Sequence, residues 1–411
     1  MQHALLASCI LAILATPLIT RAQNLQQLEA EAVKNNLPLL AQRYDIDAAE
    51  ADIVTAQLFP NNPSLTVVGD ILPTGNVFSP DQKSWGASIH LPLELGGKRD
   101  ARSAVAESAR AGTRQLFAEA LRALTLAVRS AYFDALNARA GLDFAKSTAA
   151  SLDTVVALNR VRLAAHDIPE SELLRSEMFA EQQRIAVESA QADADQANVA
   201  LQTVIGRRDF VPGFQAAGDL TQPPLAAVAS LADARRLAHE RRPDLKAIEL
   251  AVESARAQQR LQDALAVIDL YVSADFSRQQ GETFYGMSLT VPLPFFNRNQ
   301  GERQKAQVRT AQSQALLAAS MQHVDADVEG AWRDFSSRRG IVSRIERELL
   351  PRARSIRETV EFAYRRGGTT ILDFLDAQRS FTDSMRQYYD ALTTLHKSAA
   401  TLRAAIGTDE F

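Results

Sequence analysis

The segment Val291–Arg303 reads VPLPFFNRNQGER and joins an alternating apolar run to a long polar, helix-like stretch. Two prolines close the apolar run, and two phenylalanines follow. Because proline cannot donate a ladder hydrogen bond, it suits the point where a strand ends. His90–Arg102, HLPLELGGKRDAR, repeats this junction about 200 residues earlier, a spacing that indicates an internal repeat. The chain is therefore predicted to pass twice from a strand straight into a long helix.

Further markers indicate that nearly the whole chain is a tandem duplication. The paired markers, in the same order in both copies, are AYFDAL (Ala131–Leu136) with AWRDF (Ala331–Phe335), LQTVIG (Leu201–Gly206) with LRAAIG (Leu402–Gly407), and NNLPLLAQ (Asn35–Gln42) with RRPDLKAI (Arg241–Ile248). We place the first repeat at 23–206 and the second at 230–411. The segment between them, 207–229, is rich in glycine and proline and is predicted to be a connector.

Each repeat is predicted to contain a helix, two strands, a long helix, a tip turn and a final helix. The predicted strands are 63–72 and 84–93 in the first repeat, and 267–276 and 284–293 in the second. The predicted long helices, Arg99–Ala165 and Glu302–Phe362, have small and apolar residues at coiled-coil spacing. At ~1.5 Å per residue the first would approach 100 Å, so neighbouring helices must support it.

Composition limits the function. The 411 residues carry a net charge of -4, which argues against nucleic-acid binding. Residues 1–22 contain a short apolar run and are predicted to be a signal peptide. That segment holds the only cysteine, Cys9, so the mature chain is expected to form no disulfide and no cysteine metal site. Beyond it no apolar span approaches the ~20 residues of a membrane helix, and membrane insertion must use strands.

The strands are predicted to face lipid on one side. In SWGASIHLPL and FYGMSLTVPL, apolar residues alternate with small or polar ones over about ten residues, the length of a tilted transmembrane strand. Trp85, Phe295 and Phe296 are then expected at the membrane–water interface, where aromatic side chains are enriched. A soluble, half-buried sheet shows the same alternation, but helices of this length do not fit a globule.

Four strands cannot close a barrel, and an open sheet edge is not tolerated in lipid. Because the smallest barrels have ~8 strands, closure requires several chains, and three chains supply twelve strands. The predicted fold is therefore mainly α with a small β part. It is a homotrimer whose twelve-stranded transmembrane β-barrel continues into a long α-helical coiled-coil tunnel.

No motif of a hydrolase, nucleotide-binding loop or zinc peptidase occurs in the sequence, which predicts neither catalysis nor a cofactor. The histidines are scattered, with no pair at i,i+4 spacing. HVDAD (His323–Asp327) offers metal-ligating side chains, but on a helix its residues do not all share one face. We predict a solvated stripe there and no metal site.

The chain resembles the TolC-type outer-membrane efflux proteins over essentially its whole mature length. The resemblance lies in the duplication, in LPLELGGKR and VPLPFFNRNQG at the strand–helix junctions, and in YRRGGTTILDFLDAQRS (Tyr364–Ser380) at a helical break. It implies a trimeric, passive exit duct in the outer membrane of a Gram-negative bacterium, with most of each chain in the periplasm. Implied partners are outer-membrane lipid, a periplasmic adaptor (membrane fusion) protein and an inner-membrane pump of the resistance-nodulation-division type. ELGGKR and PLPFFNRNQG are most similar to the CzcC-like branch, which implies export of divalent heavy-metal cations.

The resemblance also implies roles for two helical breaks, which would form periplasmic tips that dock the adaptor. The tip residues are His166, Asp167, Ile168, Pro169, Arg365, Arg366, Gly367, Gly368, Thr369 and Thr370. The pore constriction is implied at Tyr364, Asp373 and Asp376. A gating arginine of the family falls on Thr369, so the chain departs from the pattern there, with Arg365 and Arg366 as candidate replacements. Apart from the resemblance, Asp373 and Asp376 share a helix face, and six such carboxylates around a threefold axis would attract cations.

Other functions remain open at this point. A drug, small-molecule or type I secretion duct of the same fold would show the same features. A periplasmic adaptor or a soluble coiled-coil scaffold would share the long helices, but not the four amphipathic strands.

Overall fold

The computed structural model describes residues 22–69, 84–224, 230–279 and 281–408. The helices are α1 (Leu25–Asn35), α2 (Leu37–Gln57), α3 (Lys98–Ala164), α4 (Glu170–Val204), α5 (Leu231–Arg241), α6 (Pro243–Leu265), α7 (Gln300–Arg344), α8 (Leu350–Arg365) and α9 (Ile371–Ile406). The strands are β1 (Ala22–Gln23), β2 (Ser64–Gly69), β3 (Trp85–Leu93), β4 (Gln215–Ala216), β5 (Leu270–Gln279) and β6 (Glu282–Thr290). Residues 1–21 of the predicted signal peptide, 70–72 of the first predicted strand and 225–229 of the predicted connector lie outside the described residues.

Strands β2, β3, β5 and β6 form one antiparallel sheet in that order, so the two repeats meet at the β3–β5 pair. The register confirms the predicted alternation, because apolar residues of all four strands stand opposite one another. The apolar residues of this face are Leu65, Val67, Trp85, Ala87, Ile89, Leu91, Leu93, Leu270, Val272, Ala274, Phe276, Tyr285, Met287 and Leu289, and Arg278 and Thr283 join them at the end of the strands far from the helices. The opposite face carries mainly small and polar side chains.

The second pair of strands lies at 270–279 and 282–290, where the sequence predicted 267–276 and 284–293. β5 begins late because Asp269 belongs to the junction between the repeats. Its Oδ1 accepts hydrogen bonds from the Leu95 N–H at 3.1 Å and from Lys98 Nζ at 2.7 Å. β6 ends early because Pro292 and Pro294 follow, and proline has no N–H for the ladder.

Each repeat begins with two helices, where the sequence predicted one. The chain breaks at Asn36 between α1 and α2, and at Arg242 between α5 and α6. Gly206 and Gly407, which end the last helix of each repeat with φ of 78° and 74°, sit on these breaks. A Cβ on Gly206 would lie 2.8 Å from the Asn35 carbonyl oxygen, and one on Gly407 would lie 2.9 Å from the Arg242 nitrogen. Glycine is required there, and each repeat closes on its own beginning.

The long helix of the second repeat is interrupted by a π-helical turn at Ile345–Leu349. The sequence predicted an unbroken helix from Glu302 to Phe362. Pro351 explains the difference, because its ring has no N–H and clashes with the carbonyl four residues earlier in a regular helix. The wider turn removes that clash, and the Leu350 N–H donates five residues back, to Ile345.

The long helices lie side by side in a layer ordered α4, α3, α9 and α7–α8. Nearer the sheet, α6 packs against both α3 and α7. One hydrophobic core, which includes Leu28, Val128, Leu201 and Leu402, joins the layer to the first helices of the repeats. Among the described residues, no helix combines the length and apolarity needed to span a bilayer.

The first part of the connector packs on the middle of the layer. The Tyr132 hydroxyl donates to the Ala217 carbonyl at 2.7 Å. His396 Nε2 donates to the Leu220 carbonyl at 2.9 Å, and its ring stacks on Phe133 with centroids 4.5 Å apart. Burial lowers the pKa of His396. The crossing from one repeat to the next is therefore anchored to α3 and α9.

Candidate functional site

The two predicted tip turns have the same backbone geometry. Two residues after the end of α3, His166 has φ of 59°, and its N–H donates to the Leu163 carbonyl at 2.9 Å. Two residues after the end of α8, Gly367 has φ of 76°, and its N–H donates to the Tyr364 carbonyl at 3.0 Å. In both turns the next N–H bonds one residue further back. This Schellman arrangement satisfies the last carbonyls of a helix and reverses the chain within a few residues.

One of the predicted docking residues is not available at the surface. Ile168 is only 7% exposed. Thr369 is half-buried. The remaining predicted tip residues are exposed: His166, Asp167, Pro169, Arg365, Arg366, Gly367, Gly368 and Thr370. The tips thus present two polar turns, with Ile168 turned inward.

Tyr364 packs inside the tip and is 1% exposed. Its hydroxyl donates to Asn159 Oδ1 at 2.8 Å, and its ring stacks on Phe374 with centroids 5.2 Å apart. The Arg162 guanidinium lies 5.5 Å from the ring centroid. Burial raises the pKa of the Tyr364 phenol. Within one chain Tyr364 therefore ties α3, α8 and α9 together and does not line open space.

Asp373 and Asp376 are both exposed on the first turns of α9. Asp373 caps this helix: its Oδ2 accepts from the hydroxyls of Thr370 at 2.7 Å and Thr369 at 2.8 Å. In return, the Asp373 N–H donates to Thr370 Oγ at 3.2 Å. These hydrogen bonds favour the ionised carboxylate and lower the pKa of Asp373. The turn therefore holds one negative charge in a fixed position.

The arginines considered as replacements for the gating arginine are engaged elsewhere. Arg365 Nη2 lies 2.6 Å from Glu361 Oε1, one turn back on α8. The Arg366 guanidinium lies over the Phe362 ring, 4.1 Å from its centroid. Within one chain no contact joins either arginine to Asp373, whose carboxylate is instead contacted by Thr369 and Thr370.

Aromatic side chains stand at both ends of the strands. Trp85, Phe276 and Tyr285 form a row across three strands, with successive ring centroids 5.0 and 5.5 Å apart. Phe295 and Phe296, 70% and 94% exposed, follow β6 at the opposite end, near the helices. β3 spans roughly 27 Å between these ends before tilt, which matches the ~25 Å apolar band of barrels in membranes.

The strand–helix junction contains charged residues that the sequence analysis did not single out as a site. Lys98 pairs with Asp269 across the two repeats, and Arg102 pairs with Glu94. Lys98 is 4% exposed. The only sign of this pair in the sequence is the charge of Lys98 next to a predicted strand end. Lysine is rarely buried unless it is paired.

The HVDAD segment is mostly exposed, at His323, Ala326 and Asp327, but both of its carboxylates have partners within the chain. Asp325 Oδ1 lies 3.0 Å from His239 Nε2, and Asp327 Oδ2 accepts from Arg242 Nη1 at 3.0 Å. Both carboxylates therefore contact the first helices of the second repeat. In the part of the chain that the structure describes, no three His, Cys, Asp or Glu side chains are grouped to hold a metal ion.

Comparison with known families and proteins adds to this geometry. The family model described as Outer membrane efflux protein matches residues 28–207 and 234–408. The cobalt-zinc-cadmium resistance protein CzcC of Cupriavidus metallidurans is 24% identical over 379 residues, which cover 92% of this chain and 88% of that protein.

Solved channels share the fold. CusC, whose crystal structures concern folding and transmembrane channel formation, superposes with a TM-score of 0.77 at 21% identity. The superposition covers 93% of this chain and 92% of that chain. The open state of the Neisseria gonorrhoeae MtrE outer membrane channel superposes with a TM-score of 0.76 at 20% identity. The superposition covers 93% of this chain and 88% of that chain. The likeness shows the fold that was predicted, a mainly helical chain with a small sheet.

Proposed function

Because the chain belongs to the outer membrane efflux protein family and is an outer-membrane efflux channel, we propose that three copies form the exit duct of a three-part export system for divalent heavy-metal cations. The proposed partners are a periplasmic adaptor and a resistance-nodulation-division pump in the inner membrane. The observation that carries the cargo is the similarity to the cobalt-zinc-cadmium resistance protein over most of both chains. Membership of a channel family argues against the alternative functions of an enzyme, a periplasmic adaptor and a soluble scaffold.

The sheet supports assembly from several copies. Among the strands that the structure describes, the outer two of the sheet, β2 and β6, each have one side without a ladder partner. Its apolar face is uncovered in a single chain, with Tyr285 and Met287 83% and 82% exposed. Since open edges are not tolerated in lipid, β6 of one copy must pair with β2 of the next. Apolar residues then face the hydrocarbon, and polar residues face the channel.

The helical layer has two matching edges. An exposed apolar stripe runs along α4, and a second one along α7–α8. The stripes consist of Met178, Ile185, Ala192 and Val199 on α4, and of Ile341, Leu349 and Ile356 on α7–α8. A spacing of seven residues returns to nearly the same side of a helix. The spacing of eight between Ile341 and Leu349 does so too, because the π-helical turn takes up one residue.

The stripes also match in height. At ~1.5 Å per residue from the tips, Met178 and Ile356 both lie roughly 15 Å up their hairpins, and Ile185 and Leu349 both roughly 25 Å. Two different edges of one chain that match in this way fit head to tail, which is how a ring of identical chains closes.

The tips supply the proposed constriction and the proposed docking surface. Asp373 and Asp376 would form a ring of carboxylates around the axis, which attracts cations and excludes anions. Tyr364 would support the ring from behind, through its stacking on Phe374. The docking surface would consist of the two polar turns, His166–Pro169 and Arg365–Thr370, with Ile168 as an inward anchor.

The cargo is tested by the sensitivity profile of a strain that lacks the gene. We expect lower tolerance of zinc, cobalt or cadmium, unchanged tolerance of drugs, and rescue by the full-length gene. Increased drug sensitivity together with unchanged metal tolerance would assign the chain to drug efflux instead. Failure to migrate as a heat-sensitive trimer in detergent would contradict the assembly.

A further inference from the structure

The polar face of the sheet carries a histidine and a carboxylate side by side in the middle of the strands. In the β3–β5 register His90 stands opposite Ser273, and Ser88 stands opposite Asp275. His90 and Asp275 are therefore diagonal neighbours, with Cα atoms roughly 7–8 Å apart, so their side chains can approach each other. The other face at this height is apolar, with Ile89 between Ser88 and His90.

Hydroxyl groups surround the two ionisable residues. His90 Nε2 lies 3.0 Å from Ser88 Oγ. Ser273 Oγ donates to Asp275 Oδ2 at 3.0 Å and accepts from Ser288 Oγ at 2.8 Å. The result is a polar cluster that extends over three strands, β3, β5 and β6.

The carboxylate of this cluster is open on one side. Gly286 is the residue directly opposite Asp275 on β6, and it has no side chain to cover the carboxylate. A Cβ at Gly286 would lie 3.8 Å from Asp275 Oδ2, in ordinary contact. The glycine therefore leaves a notch at Asp275 that a small ion can enter from the polar face.

We propose that His90 and Asp275 form a transit site for divalent transition-metal cations on the channel side of the sheet; the proposal rests on the proposed function. An imidazole nitrogen and a carboxylate oxygen are ligands that zinc and related cations accept together. When His90 Nε2–H donates its hydrogen bond to Ser88 Oγ, the lone pair of Nδ1 is available to the cation. Serine hydroxyls and water complete the coordination.

The charge of this face suits a cation. On the polar side of the described strands, 64–69, 85–93, 270–279 and 282–290, the charged side chains are Asp275 and Glu282, and neither lysine nor arginine occurs. Two protein ligands bind more weakly than the three or four of a resident site. Weak binding fits a conduit, because an ion must leave the site as readily as it enters.

The test is modification of histidines by diethyl pyrocarbonate on the purified full-length protein, with and without zinc, read residue by residue by mass spectrometry. His90, His166 and His323 are all exposed, so each reports its own protection. With zinc at about ten times the dissociation constant, the site is free about one tenth of the time, and His90 modification should slow about tenfold. His166 and His323 should slow less than about twofold, because Asp327, the carboxylate one helical turn from His323, is already paired with Arg242. Magnesium, which prefers oxygen ligands, should protect none of the three.

Two variants separate the site from a general effect of zinc. Asp275→Asn keeps the side-chain size but loses the negative ligand, and should remove most of the protection at His90. Glu282→Gln changes the other acid of the same face and should leave the protection intact. Equal slowing at all three histidines, or full protection in Asp275→Asn, overturns the proposal.

The two proposals fail in different ways. If His90 is not protected while the deletion strain is metal-sensitive, the transit site is wrong and the metal duct stands. If His90 is protected while the strain tolerates metals normally, the site binds zinc and the proposed cargo is wrong.

Discussion

Lys98 and Asp269 form an ion pair of 2.7 Å that joins the first residue of α3, in the first repeat, to the residue before β5, in the second. The side chains are 5% and 31% exposed. The same Asp269 oxygen accepts the Leu95 N–H at 3.1 Å. One carboxylate therefore holds the end of one strand, the start of a helix and the start of the next strand together.

Removal of the Lys98 charge should destabilise this junction. In Lys98→Met the stem length is kept, but Asp269 loses its charged partner in a largely buried place. We expect a loss of about 1–3 kcal/mol in the free energy of unfolding, measured by thermal unfolding in detergent. Arg333→Met is the control, because Arg333 pairs with Glu329 while 78% exposed, and it should cost less than about 1 kcal/mol. Equal losses would show that the buried pair adds nothing special.

The two helical edges should be cross-linkable between copies. The predicted mature chain contains no cysteine, so Ile185→Cys combined with Leu349→Cys introduces the only thiols. Under mild oxidation we expect covalent dimers and trimers on a denaturing gel. Gln191→Cys with Leu349→Cys is the matched control, because Gln191 is exposed but lies about 120° around α4 from Ile185. Monomers alone from the first pair, or equal yields from both pairs, would contradict the proposed interface.

The tip turn should loosen in acid. The pKa of Asp373 is lowered by its hydrogen bonds to Thr370 and Thr369, so ionised Asp373 stabilises the turn above the ordinary aspartate pKa of about 4. That stabilisation is lost as the pH falls through the lowered pKa. We expect hydrogen exchange at 367–374, corrected for the intrinsic rate, to accelerate below pH about 4. Asp373→Asn should abolish this pH dependence and Asp376→Asn should keep it; a pH dependence that survives Asp373→Asn would exclude the cap as its source.

Two glycine-to-alanine substitutions should change the stability of the protein in opposite directions. Gly407→Ala places a Cβ 2.9 Å from the Arg242 nitrogen at φ of 74°, and should cost about 1–3 kcal/mol of stability. Gly112→Ala lies inside α3, with no heavy atom within 4 Å of the new Cβ, and should add about 0.5–1 kcal/mol. Both are measured as shifts in the midpoint of thermal unfolding. A loss in both variants would mean that the open space at Gly112 is filled in the assembled protein.

The sequence predicted the elements of the fold more accurately than their limits. The alternation in FYGMSLTVPL is read correctly from its period of two, since side chains of a strand point to opposite faces. The start of β5 is not, because Asp269 is held outside the strand by Lys98, 171 residues earlier. The break at Asn36 was likewise missed, since Gly206, which occupies it, is remote in the chain.

The candidate sites divide in the same way. The motif implied a pore constriction at Asp373 and Asp376, and within one chain both carboxylates lie exposed on the first turns of α9. The motif also assigned Tyr364 to the constriction, but its surroundings come from three helices, and only their packing shows that it is buried against Asn159. The meeting of His90 with Asp275 depends on the β3–β5 register, which no local pattern records.

By itself the sequence determined the duplication, the two-faced strands, the long helices and the tip turns, because each is set by the repeat of side chains along a backbone of fixed geometry. Only the tertiary structure decided which remote groups meet: Lys98 with Asp269, Gly407 with Arg242, and Tyr364 with Asn159. These contacts depend on where whole helices and strands come to rest against each other, and hydrogen bonds and close packing act only over a few ångströms in space.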